Sequence, residues 1–191
     1  AAYIVDDCGA RALIVDAALA DLGAELAPMT TGVEVRWAYS GTIAGHEDLD
    51  AAAAAEPPHA PADQPRGADM LYSSGTTGRP EGIKPALPDR QIGDPGDTMT
   101  AMNATVWDVG PDTVYLSPAP LYHAAPLRTC AAVQALGGTV VVMDRFDAQR
   151  ALAAIEKYRI TYSQWVPTMF VRMLRLPEEV RSQYDLSLIH I

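Results

Sequence analysis

The stretch Thr139-Val-Val-Val-Met-Asp-Arg-Phe-Asp147 combines an apolar strand with a helix cap. Residues 139–143 are continuously apolar, as expected of a strand covered on both faces of a parallel sheet. Asp147 is a good N-cap, and the helix that follows to Tyr158 places Leu152 and Ile155 on its inner face. A strand followed at once by an amphipathic helix predicts one unit of an α/β fold.

The same alternation extends in both directions along the chain. Strands are predicted at 113–116 and 161–165, and helices at 127–136 and 167–176, the last opened by Pro167. Further strands at 11–15, 33–39 and 70–72 alternate with helices at 16–22, 48–55 and 98–107, Gly23 ending the first of these helices. The fold class is therefore α/β, with a mostly parallel sheet flanked by helices. The four prolines within residues 56–67 indicate an internal Pro-rich surface loop.

Composition excludes several classes of function. The 191 residues carry 14 Lys and Arg against 24 Asp and Glu, a net charge of −10 that disfavours nucleic-acid binding. No apolar run approaches the ~18 residues of a transmembrane segment, and the sequence shows neither the basic start nor the apolar segment expected of a signal peptide. Cys8 and Cys130 have neither zinc nor disulfide spacing, so two free thiols in a reducing cytoplasm are expected.

The segment Tyr72-Ser-Ser-Gly-Thr-Thr-Gly-Arg-Pro-Glu-Gly82 is rich in hydroxyl side chains and glycines directly after a predicted strand. Such a loop can surround a polyphosphate with backbone N–H and hydroxyl donors. It lacks the Gly-Lys-Ser/Thr ending of a Walker loop and the Gly-x-Ser-x-Gly of a nucleophile elbow. Taken alone, residues 73–78 are more typical of an ordinary Ser/Gly/Thr turn than of a phosphate-binding loop.

The longer motif resembles the phosphate-loop signature of the adenylate-forming enzymes, which include acyl-CoA synthetases and peptide-synthetase adenylation domains. Three further stretches agree with that family in order and spacing: 116–123, 138–147 and 158–168. The resemblance spans residues 3–187 and is strongest to bacterial fatty-acyl-CoA synthetases. It implies that residues 1–187 are a partial AMP-binding domain, an incomplete slice of the family's large N-terminal domain. Residues 188–191 depart from the family pattern.

The resemblance also implies a reaction and a set of site residues. Family members join a carboxylic acid to ATP, with Mg²⁺, and the CoA ligases then transfer the acyl group to CoA. His123 would orient the carboxylate as the catalytic residue, and no protein side chain is expected to ligate a metal. The ATP-binding residues implied are Ser73, Ser74, Gly75, Thr76, Thr77, Gly78, Arg79, Glu81, Gly82 and Lys84. The substrate pocket implied comprises Tyr122, His123, Gln164, Trp165 and Val166.

Two departures from the family qualify this expectation. Glu81 stands where the family carries its signature lysine, which should weaken ATP binding without abolishing it. The family's ribose-binding aspartate and its C-terminal catalytic lysine are not found in the sequence, so the isolated chain is expected to be inactive. Two alternatives remain open: a noncatalytic nucleotide- or acyl-binding homologue, and an adenylation domain that loads a carrier protein. The sequence does not indicate an oligomeric state.

Overall fold

The computed structural model describes residues 1–73, 78–95 and 97–187, and the chain divides into two compact units, Ala1–Asp94 and Pro95–Ile191. Each unit contains a three-stranded sheet in which every pairing is parallel. Helices accompany the strands of both sheets, which confirms the predicted α/β class. The described strands form three separate sheets, these two and a two-stranded antiparallel hairpin in the first unit, where the sequence predicted a single sheet.

The first unit begins with α1 (Ala2–Asp7) and is built on the sheet β1-β2-β3. Its elements are β1 (Ala12–Asp16), a 3₁₀ turn (Ala17–Leu19), α2 (Ala20–Met29), β2 (Val35–Tyr39), β3 (Glu47–Asp48) and α3 (Leu49–Ala54). Val15, Ala38 and Ile43 form its buried core. An antiparallel hairpin of β4 (Leu71–Ser73) and β5 (Glu81–Ile83) completes the unit.

The helix α2 differs from the prediction that a glycine ends it. Gly23 was predicted to end the helix after Asp16, but Asp16 caps the 3₁₀ turn and α2 runs through Gly23 to Met29. A Cβ at Gly23 would lie 3.1 Å from the Ile43 side chain and 3.2 Å from that of Val15. Gly23 thus serves close packing of the helix on the core, and its conformational freedom is not used to stop the helix.

The second unit is built on the sheet β7-β6-β8, with β6 at its centre. Its elements are α4 (Thr98–Val106), β6 (Val114–Ser117), α5 (Ala124–Ala135), β7 (Thr139–Val142), α6 (Ala148–Tyr158), β8 (Tyr162–Ser163), α7 (Pro167–Leu174) and α8 (Glu178–Arg181). Leu116, Leu152, Ile155 and Ile160 belong to the larger core cluster of this unit. The Asp147 carboxylate accepts the Arg150 N–H at 2.8 Å, which confirms the predicted helix cap.

Three details of this unit differ from expectation. β7 is an edge strand with Val142 half exposed, so the apolar run is not covered on both faces. The more buried strand is β6, in which Tyr115, Leu116 and Ser117 are buried. α5 begins at Ala124, three residues before the predicted start at 127, and it holds Pro126 in its first turn, where the absent N–H costs no helical bond. β8 ends at Ser163, which leaves Gln164 and Trp165 beyond the strand.

No described helix has both the length and the apolar content to cross a membrane. Residues 56–67 lie outside the helices and strands and are mostly exposed, as a surface loop should be.

Candidate functional site

The hydroxyl- and glycine-rich segment connects the two strands of the hairpin. β4 ends at Ser73, which pairs with Glu81 at the start of β5. Gly78 has a φ of +90°, a conformation that side chains with a Cβ rarely adopt, so this position requires glycine. Ser74, Gly75, Thr76 and Thr77, all predicted to bind ATP, lie outside the described residues.

Helix α1 anchors the hairpin on both sides of this segment. The Tyr72 hydroxyl donates to Asp7 Oδ2 at 2.6 Å, and the Tyr3 hydroxyl donates to the Pro80 carbonyl at 3.3 Å. The Arg79 guanidinium lies 5.6 Å from the centre of the Tyr3 ring, within cation–π range. The hydrogen bond to Asp7 raises the pKa of the Tyr72 phenol. Tyr72 therefore remains a protonated donor across the physiological range.

Sequence reasoning did not find this role of α1. Asp7 and Tyr72 are separated by 65 residues, and Tyr3 and Pro80 by 77. Neither side chain in α1 belongs to a local motif, so no signal in the sequence pointed to the anchoring contacts.

Gly82 is fixed by packing within the hairpin. A Cβ at this position would lie 2.8 Å from Cζ of Tyr72, closer than real Cβ contacts allow. The glycine lets the Tyr72 ring lie across β5 while its hydroxyl reaches Asp7. Gly82 therefore contributes to the hairpin indirectly, by leaving room for the Tyr72 ring.

The charges around the segment are mixed. Arg79 and Lys84 are exposed, and so is Glu81, which lies between them in the sequence. Two cations and the Ser73 hydroxyl suit a polyphosphate, whereas the Glu81 carboxylate opposes one. The described residues contain no group of three or more His, Cys, Asp or Glu that could hold a metal ion.

His123 lies in the second unit at the N-cap of α5. The imidazole is exposed and its ring centre is 4.5 Å from that of Tyr122, which is also exposed. The His123 carbonyl accepts the Leu127 N–H at 3.2 Å, so the backbone begins the helix while the side chain stays available. A ligand near His123 also faces the partial positive charge of the helix N-terminus.

A cavity of about 250 Å³ lies beside the first turns of α5. Its lining residues come from α4, α5 and the end of β8: Met99, Met102, Asn103, Trp107, Ala124, Ala125, Arg128, Thr129, Tyr162 and Gln164. The Thr129 hydroxyl donates to Gln164 Oε1 at 3.4 Å, and the rings of Trp107 and Tyr162 stack with centres 6.4 Å apart. The walls are mainly apolar, with a few polar groups, as in small-molecule pockets. We refer to it as the α5 cavity.

The five residues of the predicted substrate pocket do not share one location. Gln164 lines the α5 cavity, and His123 immediately precedes the α5 residues that line it. Trp165 packs between Phe146 and Phe170, at ring distances of 6.2 and 6.0 Å, and lines a separate apolar cavity. Val166 is the exposed N-cap residue of α7.

Sequence reasoning missed the contribution of α4 to the α5 cavity. Met99, Met102 and Asn103 recur at helical spacing, a pattern typical of any helix packed on a core.

Comparison with known proteins decides the family. The model of the AMP-binding enzyme family matches residues 1–191. The chain belongs to this family. The 4-coumarate–CoA ligase-like 8 protein of Arabidopsis thaliana is 33% identical to it over 127 residues, covering 63% of the chain and 21% of that protein.

Two solved structures are similar to this chain over most of its length. A candidate long-chain-fatty-acid CoA ligase from Rhodopseudomonas palustris superposes with a TM-score of 0.78 at 21% identity, covering 99% of this chain and 45% of that one. ATP-bound MatB from the same species superposes with a TM-score of 0.67 at 26% identity, covering 95% and 35%. These likenesses confirm the predicted fold of the family's N-terminal domain. The chain spans about a fifth of the length of the curated relative.

Proposed function

We propose that this chain is the part of an ATP-dependent acyl-CoA synthetase that holds the ATP phosphates and part of the acyl group. A carboxylate oxygen attacks the α-phosphate of ATP, which forms an acyl-adenylate and releases pyrophosphate. The thiol of CoA then attacks the acyl carbon, which gives the thioester and releases AMP and a proton. The membership of residues 1–191 in the AMP-binding family supports the reaction class.

The hairpin is the observation that carries this proposal. α1 fixes Tyr72 and Pro80, so the chain on either side of the segment 73–78 is held by contacts within the first unit. Ser73 to Gly78 and Arg79 would surround the triphosphate, with Thr76 and Thr77 as the central hydroxyl donors and Gly82 supporting the strand. Mg²⁺ would enter with the phosphates, whose oxygens would ligate it together with water molecules.

The carboxylic acid substrate would bind near the start of α5. His123 and the helix N-terminus can hold the carboxylate by hydrogen bonding and by the helix dipole. Met99, Met102 and Trp107 in the α5 cavity suit a fatty or related apolar acyl group. Tyr122 and Gln164 would contact the acid, whereas Trp165 and Val166 would shape the neighbouring backbone.

The composition of the chain supports a choice of binding partners and of cellular location. A net charge of −10 suits small-molecule partners better than nucleic acid. Cys8 and Cys130 are both free thiols, which is the usual state in a reducing compartment, and we propose a cytoplasmic location.

Carboxylate-dependent exchange of labelled pyrophosphate into ATP tests the proposal. The protein assayed is the full-length product of the gene that contains this segment, with a panel of fatty and aromatic acids. We expect exchange with at least one acid, and release of AMP that accelerates when CoA is added. Exchange that accelerates only with an acyl carrier protein would identify the carrier-loading alternative. Nucleotide binding without exchange for any acid would contradict the proposal and favour a noncatalytic homologue.

A further inference from the structure

Two side chains on one face of α1 reach the hairpin. Tyr3 and Asp7 are four positions apart, so they lie on the same face of the helix. Asp7 Oδ2 accepts the Tyr72 hydroxyl ahead of the segment 73–78, and the Tyr3 hydroxyl donates to the Pro80 carbonyl after it. Both contacts lie within the first unit, so α1 and the residues that flank this segment form one arrangement.

Tyr3 makes a second contact, which support of the backbone does not explain. The Arg79 guanidinium lies over its ring, with the Arg79 Cζ atom 5.6 Å from the ring centre. A cation within about 6 Å of a ring centre is attracted by the negative face of the ring. One side chain of α1 thus holds both the backbone carbonyl of Pro80 and the charged group of the residue before it.

The backbone at Arg79 has little freedom of its own, because the residue before a proline is restricted to extended conformations. The Pro80 carbonyl that follows is held by the Tyr3 hydroxyl. What remains free is the long arginine side chain, and immobilising such a side chain opposes ligand binding. The Tyr3 ring reduces this cost, because it already gives the guanidinium a favourable position.

The contact with the ring leaves the hydrogen-bond donors of Arg79 available. A guanidinium stacks on an aromatic ring through its face, whereas its N–H groups point outward in its own plane and match the oxygens of a phosphate. Among the residues that the structure describes, no carboxylate forms an ion pair with Arg79. Tyr3 therefore holds the cation without occupying the donors that a phosphate needs.

We propose that Tyr3 is a positioning residue for the nucleotide: its ring presents the Arg79 guanidinium to the phosphates of ATP, and its hydroxyl holds the adjoining backbone at Pro80. The inference rests on the proposed function, because it takes Arg79 as a ligand of the triphosphate. Tyr3 acts through Arg79 and does not itself contact the phosphates. Its place in α1 lies outside the hydroxyl- and glycine-rich motif, so the role belongs to the fold and not to the motif.

Binding of MgATP to the full-length protein, measured by isothermal titration calorimetry, tests the proposal. Tyr3→Leu removes the ring and should raise the Kd for MgATP roughly two- to fivefold, the range of an exposed cation–π contact. Tyr3→Phe keeps the ring and should retain most of the affinity. Tyr39→Leu, at a comparably exposed tyrosine of β2, is the matched control and should leave the Kd unchanged.

A double-mutant cycle separates positioning of Arg79 from general support of the hairpin. In an Arg79→Ala background, Tyr3→Leu and Tyr3→Phe should give the same Kd, because the cation that the ring holds is absent. In steady-state kinetics, Tyr3→Leu should raise the KM for ATP and leave kcat and the KM for the carboxylic acid unchanged. If thermal unfolding shows that Tyr3→Leu is not folded, Tyr3→Gln replaces it, since glutamine is a good helix former.

Failure of this inference and failure of the proposed function give different results. An unchanged Kd in Tyr3→Leu, or a difference between Tyr3→Leu and Tyr3→Phe that persists in Arg79→Ala, overturns the role of Tyr3, and pyrophosphate exchange by the same protein keeps the synthetase. Absence of exchange with every acid, with the expected effects on MgATP binding, removes the synthetase and keeps the role of Tyr3. Absence of MgATP binding to the wild type overturns both.

Discussion

Glu81 is the residue at which this chain departs most sharply from its family's motif. It is exposed at the start of β5 and pairs with Ser73, the first residue of the segment 73–78. A carboxylate there opposes a triphosphate, and Arg79 and Lys84 on either side offset part of that repulsion. Exposure to solvent screens the interaction, so the effect on ATP binding should be moderate.

We expect Glu81→Lys in the full-length enzyme to lower the KM for ATP by roughly two- to fivefold, the range of an exposed charge interaction. The kcat should change little because the substituted side chain acts on binding of the phosphates. Steady-state kinetics with ATP as the varied substrate measures both. Glu25→Lys makes the same change of charge on the exposed side of α2 and should leave the KM unchanged. An unchanged KM in Glu81→Lys would contradict this explanation.

Tyr72 gives a second prediction, based on pH. The hydrogen bond to Asp7 raises the pKa of the Tyr72 phenol in the folded chain above its value of about 10 in the unfolded chain. A raised pKa stabilises the folded state fully below the unfolded value, and the stabilisation is lost as the pH rises from about 10 toward the folded pKa. Tyr72→Phe should therefore lower the thermal midpoint at pH 7 to 9, and the difference from the wild type should shrink above pH 10.

Thermal unfolding of both proteins from pH 7 to 11 measures this difference. Tyr39→Phe, at an exposed tyrosine of β2, controls for loss of a phenol elsewhere in the first unit. A difference that is constant across the whole range would show that the hydrogen bond to Asp7 does not stabilise the hairpin.

At the scale of elements, the sequence predicted best where local chemistry and packing agree. Asp147, Leu152 and Ile155 combine a cap with helical spacing, and α6 was predicted to the residue. β5 was missed because Glu81-Gly82-Ile83 is short and contains glycine, and only its pairing with β4 makes it a strand. α2 passed through Gly23 because packing against Ile43 outweighed the local preference.

The α6 cap provides a test at this scale. Asp147→Ala removes the acceptor of the Arg150 N–H and should lower the free energy of unfolding by about 1 kcal/mol. Asp144→Ala removes an exposed ion pair with Arg150 and should cost less than about 0.5 kcal/mol. Unfolding in urea, followed by the fluorescence of Trp107 and Trp165 in the second unit, measures both losses. Equal losses for the two variants would mean that the cap adds nothing beyond the surface charge.

At the scale of the whole molecule, the sequence identified the family and the fold, and its motifs marked both ends of the proposed reaction. It did not show which elements build each site. The α5 cavity joins α4 to the residues after β8, and the hairpin depends on α1, so both arrangements come from contacts between distant segments. Gln164 and His123 could be predicted because they lie in stretches that resemble the family's motifs. Asn103 was missed because it lies outside those stretches.

The share of the relatives that the chain covers leads to a prediction about activity. The chain corresponds to 21% of the curated CoA ligase relative, and no aspartate that holds the ribose or catalytic lysine of the C-terminal domain was found in it. We therefore expect the 191 residues alone to show no carboxylate-dependent exchange of pyrophosphate into ATP, with the full-length protein as the positive control. Exchange by the isolated chain would show that these residues contain a complete adenylation site.

The two thiols differ in accessibility, and this has a practical consequence for labelling. Cys130 is 8% exposed in the core of the second unit, whereas Cys8 is half-buried, directly after the aspartate that holds Tyr72. A maleimide dye applied to the folded chain should therefore attach at Cys8 in preference to Cys130. The wild-type sequence thus carries its own attachment point for a fluorescent reporter beside the hairpin, and nucleotide titrations can be followed optically without introducing a cysteine.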